Sequence, residues 1–123
     1  MGSGAHSGGV QAERAPAVYL SWKAGELRET ESSDTFAEGL ATRVAFELPF
    51  SIIKDRIDDI VLVSEEEMRR AIVALLDEAH MLAEPAGAAP LAAALKAEGE
   101  RRDREGRFFG HIAYASILAT KPA

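Results

Sequence analysis

The sequence predicts an α/β domain, and three observations support this fold class. Two short aliphatic runs, GVQAE at 9–13 and IVLV at Ile60–Val63, are typical of strands. After the second run, apolar residues recur at helical spacing. The order strand, helices, strand, helix, helix favours helices layered on a sheet over a helical bundle, and 123 residues suit one domain.

The connection between the two strands is predicted to hold three short helices. The first lies in APAVYLSWKAG, where Pro16 is near the start and Gly25 provides the stop signal. Ser33 or Asp34 is expected to cap a second helix through TFAEGL. Pro49 is expected to open a third helix in PFSIIKDRID.

The clearest predicted helix is SEEEMRRAIVALLDEAHMLAE, which follows the second strand. Ser64 and Glu67 match the reciprocal capping box, whose cap contributes about 1 kcal/mol. Apolar residues then recur at helical spacing from Met68 to Ala83, with charges on the other face. Another helix is predicted after EPAG, through AAPLAAALKAEGERRDRE, and is expected to end at Gly106.

The composition restricts the classes of partner and chemistry. The formal net charge of −6 argues against nucleic acid or an anionic membrane as a partner. The lack of cysteine excludes disulfides, thiolate catalysis and cysteine-ligated metals, and it suits a cytoplasmic protein. MGSGAHSGG has no apolar signal-peptide core, and FFGHIAYASILA is too short to span a bilayer. We therefore expect a soluble chain.

Most residues that could carry chemistry have a structural interpretation. His6, His80 and His111 show no metal-ligand spacing, and the glycines of GSGAHSGG lack the flanking strand and helix of a phosphate loop. The exception is Glu84, in LAEPAGAAPLAAAL, which separates a leucine-rich helix from an alanine-rich one. Burial of its carboxylate would cost several kcal/mol. Either Glu84 faces water at a helix end, or it faces a group that needs a carboxylate.

Four segments have a specific order and spacing along the chain: GVQAERAPAVYLSWKAG, DTFAEGL, DDIVLVSEEE and AEPAGAA. Together they resemble the later half of the catalytic domain of threonine dehydratases, which are fold-type II enzymes dependent on pyridoxal phosphate and are related to serine dehydratase and serine racemase. The resemblance implies a partial three-layer α/β fold, with helices packed on a short, incomplete sheet. It divides the chain into a flexible tail at 1–8, a dehydratase-like region at 9–106 and a divergent tail at 107–123.

The resemblance also implies which residues border the cofactor, pyridoxal phosphate. Glu84 matches the family glutamate that lies beside the cofactor ring, and Gly39 matches a glycine whose backbone borders the same pocket. Some relatives bind a divalent cation, and Glu13 and Ala17 match two of its ligands. The third ligand position falls on Tyr19, which is no ligand for a hard cation, so this metal site is incomplete.

The activity implied by the resemblance is β-elimination of water from threonine or serine, followed by deamination to a 2-oxo acid and ammonia. The family's Schiff-base lysine lies in a segment of the S-x-K-x-R-G-A type, which this sequence lacks. None of Lys23, Lys54, Lys96 and Lys121 matches it, so no catalytic residue is predicted. We expect a fragment that is inactive alone.

Two alternatives to the fragment hypothesis follow from the same residues. One is a non-catalytic interaction module that kept the scaffold, and the other is a parent enzyme with a sibling activity such as serine racemisation. The match stops near Arg107, which a frameshift, a gene-boundary error or real divergence would explain. Strands without their usual neighbours leave an open sheet edge, so we expect self-association.

Overall fold

The computed structural model describes residues 7–104, and the α/β prediction is confirmed within that range. The predicted tail at 107–123 and the predicted helix end at Gly106 lie outside it. The elements of the described range, in chain order, are strand β1 (Gly8–Ala12), helix α1 (Ala17–Ala24), a 3-10 turn (Glu38–Leu40), helix α2 (Glu47–Ile53), strand β2 (Asp59–Val63), helix α3 (Glu65–Ala79) and helix α4 (Pro85–Arg104).

The two strands pair in parallel, in a register that runs from Gly8 opposite Asp59 to Ala12 opposite Val63. The pairing continues past β1, because the N–H of Glu13 donates to the carbonyl oxygen of Val63 at 2.9 Å. Gly8, assigned to the tail by sequence, is thus the first residue of β1. Since parallel strands need a long crossover, α1, the 3-10 turn and α2 all lie between them.

The core lies between one face of the sheet and the helices α3 and α4, which pack against each other. Side chains alternate along a strand, so alternate positions of β1 and β2 face these helices. The buried residues of this core are mostly small, which lets the helices approach closely: Ala12, Ala15, Ala37, Val63, Met68, Ala71, Ala88, Ala89, Ala92 and Ala93. Gln11 points to the opposite face, where its side-chain oxygen accepts the N–H of Tyr19 in α1 at 2.8 Å. Helices therefore contact both faces of the short sheet.

The predicted helix through TFAEGL is wrong in extent, because only Glu38–Leu40 is helical, as a 3-10 turn. Neither proposed cap forms. The Asp34 carboxylate pairs with Arg14 at 2.6 Å, and the donors of the next two residues bind a carboxylate of α3. Contacts with distant parts of the chain thus replace the local ones that the sequence suggested.

Two other helix boundaries differ from prediction. Helix α2 begins at Glu47, so Pro49 lies in its first turn, where a missing N–H costs no intrahelical bond. Helix α3 has the predicted capping box between Ser64 and Glu67, but it ends at Ala79. His80 takes a left-handed conformation (φ 53°) and closes the helix. Within residues 7–104, no helix is both long and apolar enough to cross a membrane.

Candidate cofactor site

The candidate site lies at the start of α4, where Glu84 immediately precedes the helix. Its carbonyl oxygen accepts the N–H of Ala88 at 3.0 Å, which makes Glu84 the N-terminal cap residue, and Pro85 occupies the first helical position that proline favours. The Glu84 side chain is exposed and has no hydrogen-bond partner among residues 7–104. Its carboxylate therefore faces water and has no desolvation cost. This agrees with the first of the two interpretations of its position, a carboxylate that faces water at a helix end.

Gly39 lies against the same helix end. A Cβ atom at this position would be only 2.9 Å from the Cβ of Ala86, which is closer than side chains pack. Only glycine therefore allows the 3-10 turn to approach the first turn of α4 in this way. The structure thus brings together the two residues that the resemblance assigns to the cofactor, although they are far apart in sequence.

The segment that carries Gly39 is held at its other end by α3. The Oγ1 of Thr35 lies 3.0 Å and 2.8 Å from the two carboxylate oxygens of Glu65, and the N–H of Phe36 donates to one of them at 2.8 Å. Sequence analysis missed these contacts, because they join residues 29 and 30 positions apart in the chain. The sequence feature that could have predicted this contact is the presence of both DTFAEGL and VSEEE.

The two residues matched to a metal site, Glu13 and Ala17, lie just after β1 and at the start of α1. Glu13 is exposed just after β1, and the carbonyl oxygen of Ala17 accepts the Ser21 hydroxyl at 2.8 Å. The backbone N–H of Tyr19 is bound to Gln11. Within residues 7–104, no group of three or more histidine, aspartate or glutamate side chains is arranged to hold a metal ion.

A carboxylate whose pKa clearly departs from its ordinary value lies near the other end of α4. The guanidinium groups of Arg101 and Arg102 donate to the Glu98 carboxylate and lower its pKa from 4.5 to about 2. Arg101 makes two of these bonds, at 2.9 Å and 2.6 Å. The cluster is structural, because both cations and the anion belong to one helix face.

Comparison with known proteins decides the family. A family model described as pyridoxal-phosphate dependent enzyme matches residues 4–107. The chain belongs to this family. The L-threonine ammonia-lyase of Geobacter sulfurreducens is 42% identical over 87 residues, which are 71% of this chain and 22% of that enzyme. The resemblance to threonine dehydratases is thereby confirmed.

Solved structures of the family superpose on this chain. The threonine deaminase of T.th. is 36% identical, has a TM-score of 0.71, and is matched over 74% of this chain and 33% of its own. Serine racemase from Dictyostelium discoideum is 30% identical, has a TM-score of 0.68, and is matched over 82% of this chain and 31% of its own. The chain therefore spans about a fifth to a third of the length of these relatives.

Proposed function

We propose that residues 9–106 form the later half of the catalytic domain of a threonine or serine ammonia-lyase, with Gly39 and Glu84 beside pyridoxal phosphate. The observation that carries this proposal is the approach of Gly39 to Ala86, next to an exposed carboxylate. Threonine is the favoured substrate because a relative named for it is 42% identical, compared with 30% for the serine racemase.

The residues present fit the cofactor in their chemistry. Pyridoxal phosphate, when bound, supplies the electron sink that stabilises a carbanion next to the amino group of the substrate. The close approach of Gly39 to Ala86 brings the 3-10 turn to the start of α4, next to the Glu84 carboxylate. The carboxylate oxygens of Glu84 accept a hydrogen bond or hold a proton, and so contribute to the protonation pattern around the ring. Catalysis also needs a Schiff-base lysine, and none of the lysines of this sequence matches that segment.

A chimaeric enzyme tests this function. We would replace the matching segment of the Geobacter sulfurreducens enzyme with residues 9–106 and measure 2-oxobutanoate formation from threonine. We expect the chimaera to be active and the 123-residue chain alone to be inactive. In the chimaera, Glu84→Gln should lower kcat/KM on the order of 100-fold, since a group that positions protons contributes about that much.

The matched control for this substitution is Glu78→Gln, which changes an exposed glutamate of α3 that lies away from Gly39. It should leave kcat/KM within about twofold of the parent chimaera, because surface substitutions of this kind change stability little. Equal activity of the Glu84→Gln and Glu78→Gln chimaeras would contradict the role of Glu84. Activity of the chain alone would contradict the fragment hypothesis.

Self-association and a cytoplasmic location belong to the same proposal. Self-association is supported by a sheet of two strands and by apolar side chains that remain largely exposed: Phe46, Leu48 and Leu82, at 68%, 70% and 86%. The lack of cysteine supports a reducing compartment. Light scattering during gel filtration tests the first claim, and a monodisperse monomer that melts cooperatively would contradict it.

A further inference from the structure

Two donors connect the segment before Gly39 to the first turn of α3. Glu65, the first residue of α3, accepts the hydroxyl of Thr35 and the backbone N–H of Phe36 at distances from 2.8 Å to 3.0 Å. The partners are 29 and 30 residues apart in sequence, so they are tertiary contacts. Bonds to an ionised carboxylate are roughly twice as strong as neutral ones.

Glu65 lies in a rigid part of α3 that favours a negative charge. Ser64, which precedes Glu65, forms a capping box with Glu67, and this fixes the start of the helix. The N-terminus of a helix stabilises a carboxylate in its first turn. One turn further along α3, the guanidinium group of Arg69 lies 4.8 Å from the centre of the Phe36 ring. The helix therefore holds both the backbone and the side chain of Phe36.

The 3-10 turn that follows depends on contacts outside itself. Ala37, which precedes it, is fully buried in the core, and Leu40 packs against the same cluster. The turn has three residues, and such turns have poor hydrogen-bond geometry and little stability of their own. The N–H of Leu40 donates to Ala37 at 2.8 Å, and the N–H of Ala37 donates to the Thr35 hydroxyl at 3.2 Å. The Thr35 hydroxyl thus connects Glu65 to the turn, and the turn places Gly39 against α4.

We propose that Glu65 and Thr35 are positioning residues that fix the backbone of Gly39 beside Glu84. The importance of this contact for catalysis rests on the function proposed above, because Gly39 borders the cofactor only under that proposal. The geometric part stands on the contacts of this chain alone. Groups that hold a site rigidly must themselves be fixed by packing and hydrogen bonds, and Glu65 meets that condition.

Amide hydrogen exchange of the full 123-residue chain tests the geometric part. In Thr35→Val, which keeps the shape of the side chain but loses the hydroxyl, the amides of Phe36 and Leu40 should exchange about tenfold faster or more. Thr35→Ser keeps the hydroxyl and should restore slow exchange. Glu65→Gln keeps an oxygen but loses the charge, and should give an intermediate rate.

The matched control is Thr30→Val, in the same connection between α1 and α2. The Thr30 hydroxyl donates to the Ser32 carbonyl at 2.8 Å and does not contact α3, so its loss should leave Phe36 and Leu40 unchanged. Unchanged exchange in Thr35→Val would overturn the proposal. So would an equal acceleration in Thr30→Val, or failure of Thr35→Ser to restore protection.

The exchange experiment and the chimaera test separate claims, so either claim can be refuted without the other. Exchange needs no cofactor, so an inactive chimaera would refute the proposed function and leave the positioning result intact. In an active chimaera, Thr35→Val should lower kcat/KM about tenfold with Thr35→Ser near the parent value, since a small displacement of a positioned group can cost as much as about 100-fold. Equal activity of the two Thr35 variants would refute the catalytic importance of the contact.

Discussion

The two halves of α4 are held in place by different interactions. The first half, Pro85–Leu95, buries alanines against α3 and the sheet, and it carries the candidate site at its exposed start. The second half, from Lys96 to Arg104, has no buried residue. Lys96 donates to the Leu62 carbonyl oxygen of β2 at 2.9 Å, and the residues beyond it are held by the ion pairs of Glu98. The helix end that presents the candidate site is thus positioned by close packing behind it, whereas the charged end beyond Lys96 is stabilised by ion pairs within its own helix.

The largest effect should come from Pro90, which interrupts the hydrogen bonds of the first half. Pro90 is the sixth residue of α4 and has no N–H to donate to the Ala86 carbonyl. Because it is exposed, Pro90→Ala should raise the free energy of unfolding by up to about 3 kcal/mol, measured by urea denaturation. In the second half, Gly99→Ala has open space for the new Cβ and should add about 1 kcal/mol. If Pro90→Ala gave no gain, the proline would have to stabilise the packed half in another way.

Overpacking the first half should produce the next largest effect. Ala88 is fully buried where α4 meets the core, so Ala88→Leu should lower the free energy of unfolding by about 1–3 kcal/mol. Ala94 is exposed on the same helix, and Ala94→Leu should change it by less than about 0.5 kcal/mol. Urea denaturation of both variants measures the difference. Equal effects would show that the alanine face is not close-packed.

The sequence predicts this fold best where the signal is local. The strand Ile60–Val63, the capping box at Ser64 and the glycine that ends α1 were all predicted from neighbouring residues and are present in the structure. His80 shows the limit of such signals. It ends α3 in a left-handed conformation that glycine usually takes, so no residue-type signal marks the boundary.

The parts that could not be predicted depend on contacts distant in sequence. A cap at Asp34 was reasonable, but its carboxylate pairs with Arg14, and Thr35 turns to Glu65. Periodicity gave no reason to place Gly39 beside Glu84, since neither residue belongs to a repeating pattern. The resemblance predicted that pair, because members of a family share a tertiary structure. A single sequence does not reveal which distant residues meet.

The pH dependence of stability should reveal the contribution of the Glu98 ion pairs in the second half of α4. The Glu98 carboxylate has its pKa lowered from 4.5 to about 2, so the folded state keeps it ionised where the unfolded state takes up a proton. Its stabilising effect is complete above about pH 4.5 and is lost as the pH falls towards 2. The Tm of the chain should therefore exceed that of Glu98→Gln at about pH 7, and the gap should close by about pH 2. Glu100→Gln, at an exposed neighbour, should show no such gap.

The smallest effect on stability should come from Glu84, the unpaired glutamate that precedes the same helix. A carboxylate at a helix N-terminus contributes about 0.3–1 kcal/mol, so Glu84→Gln should lower the free energy of unfolding by no more than that in urea denaturation at low salt. In the chimaeric enzyme the order should reverse, with Glu84→Gln costing activity and Glu98→Gln leaving it. That reversal would distinguish a residue that contributes to stability from a residue that contributes to chemistry. A loss of about 2 kcal/mol or more in Glu84→Gln would instead assign Glu84 to the support of α4.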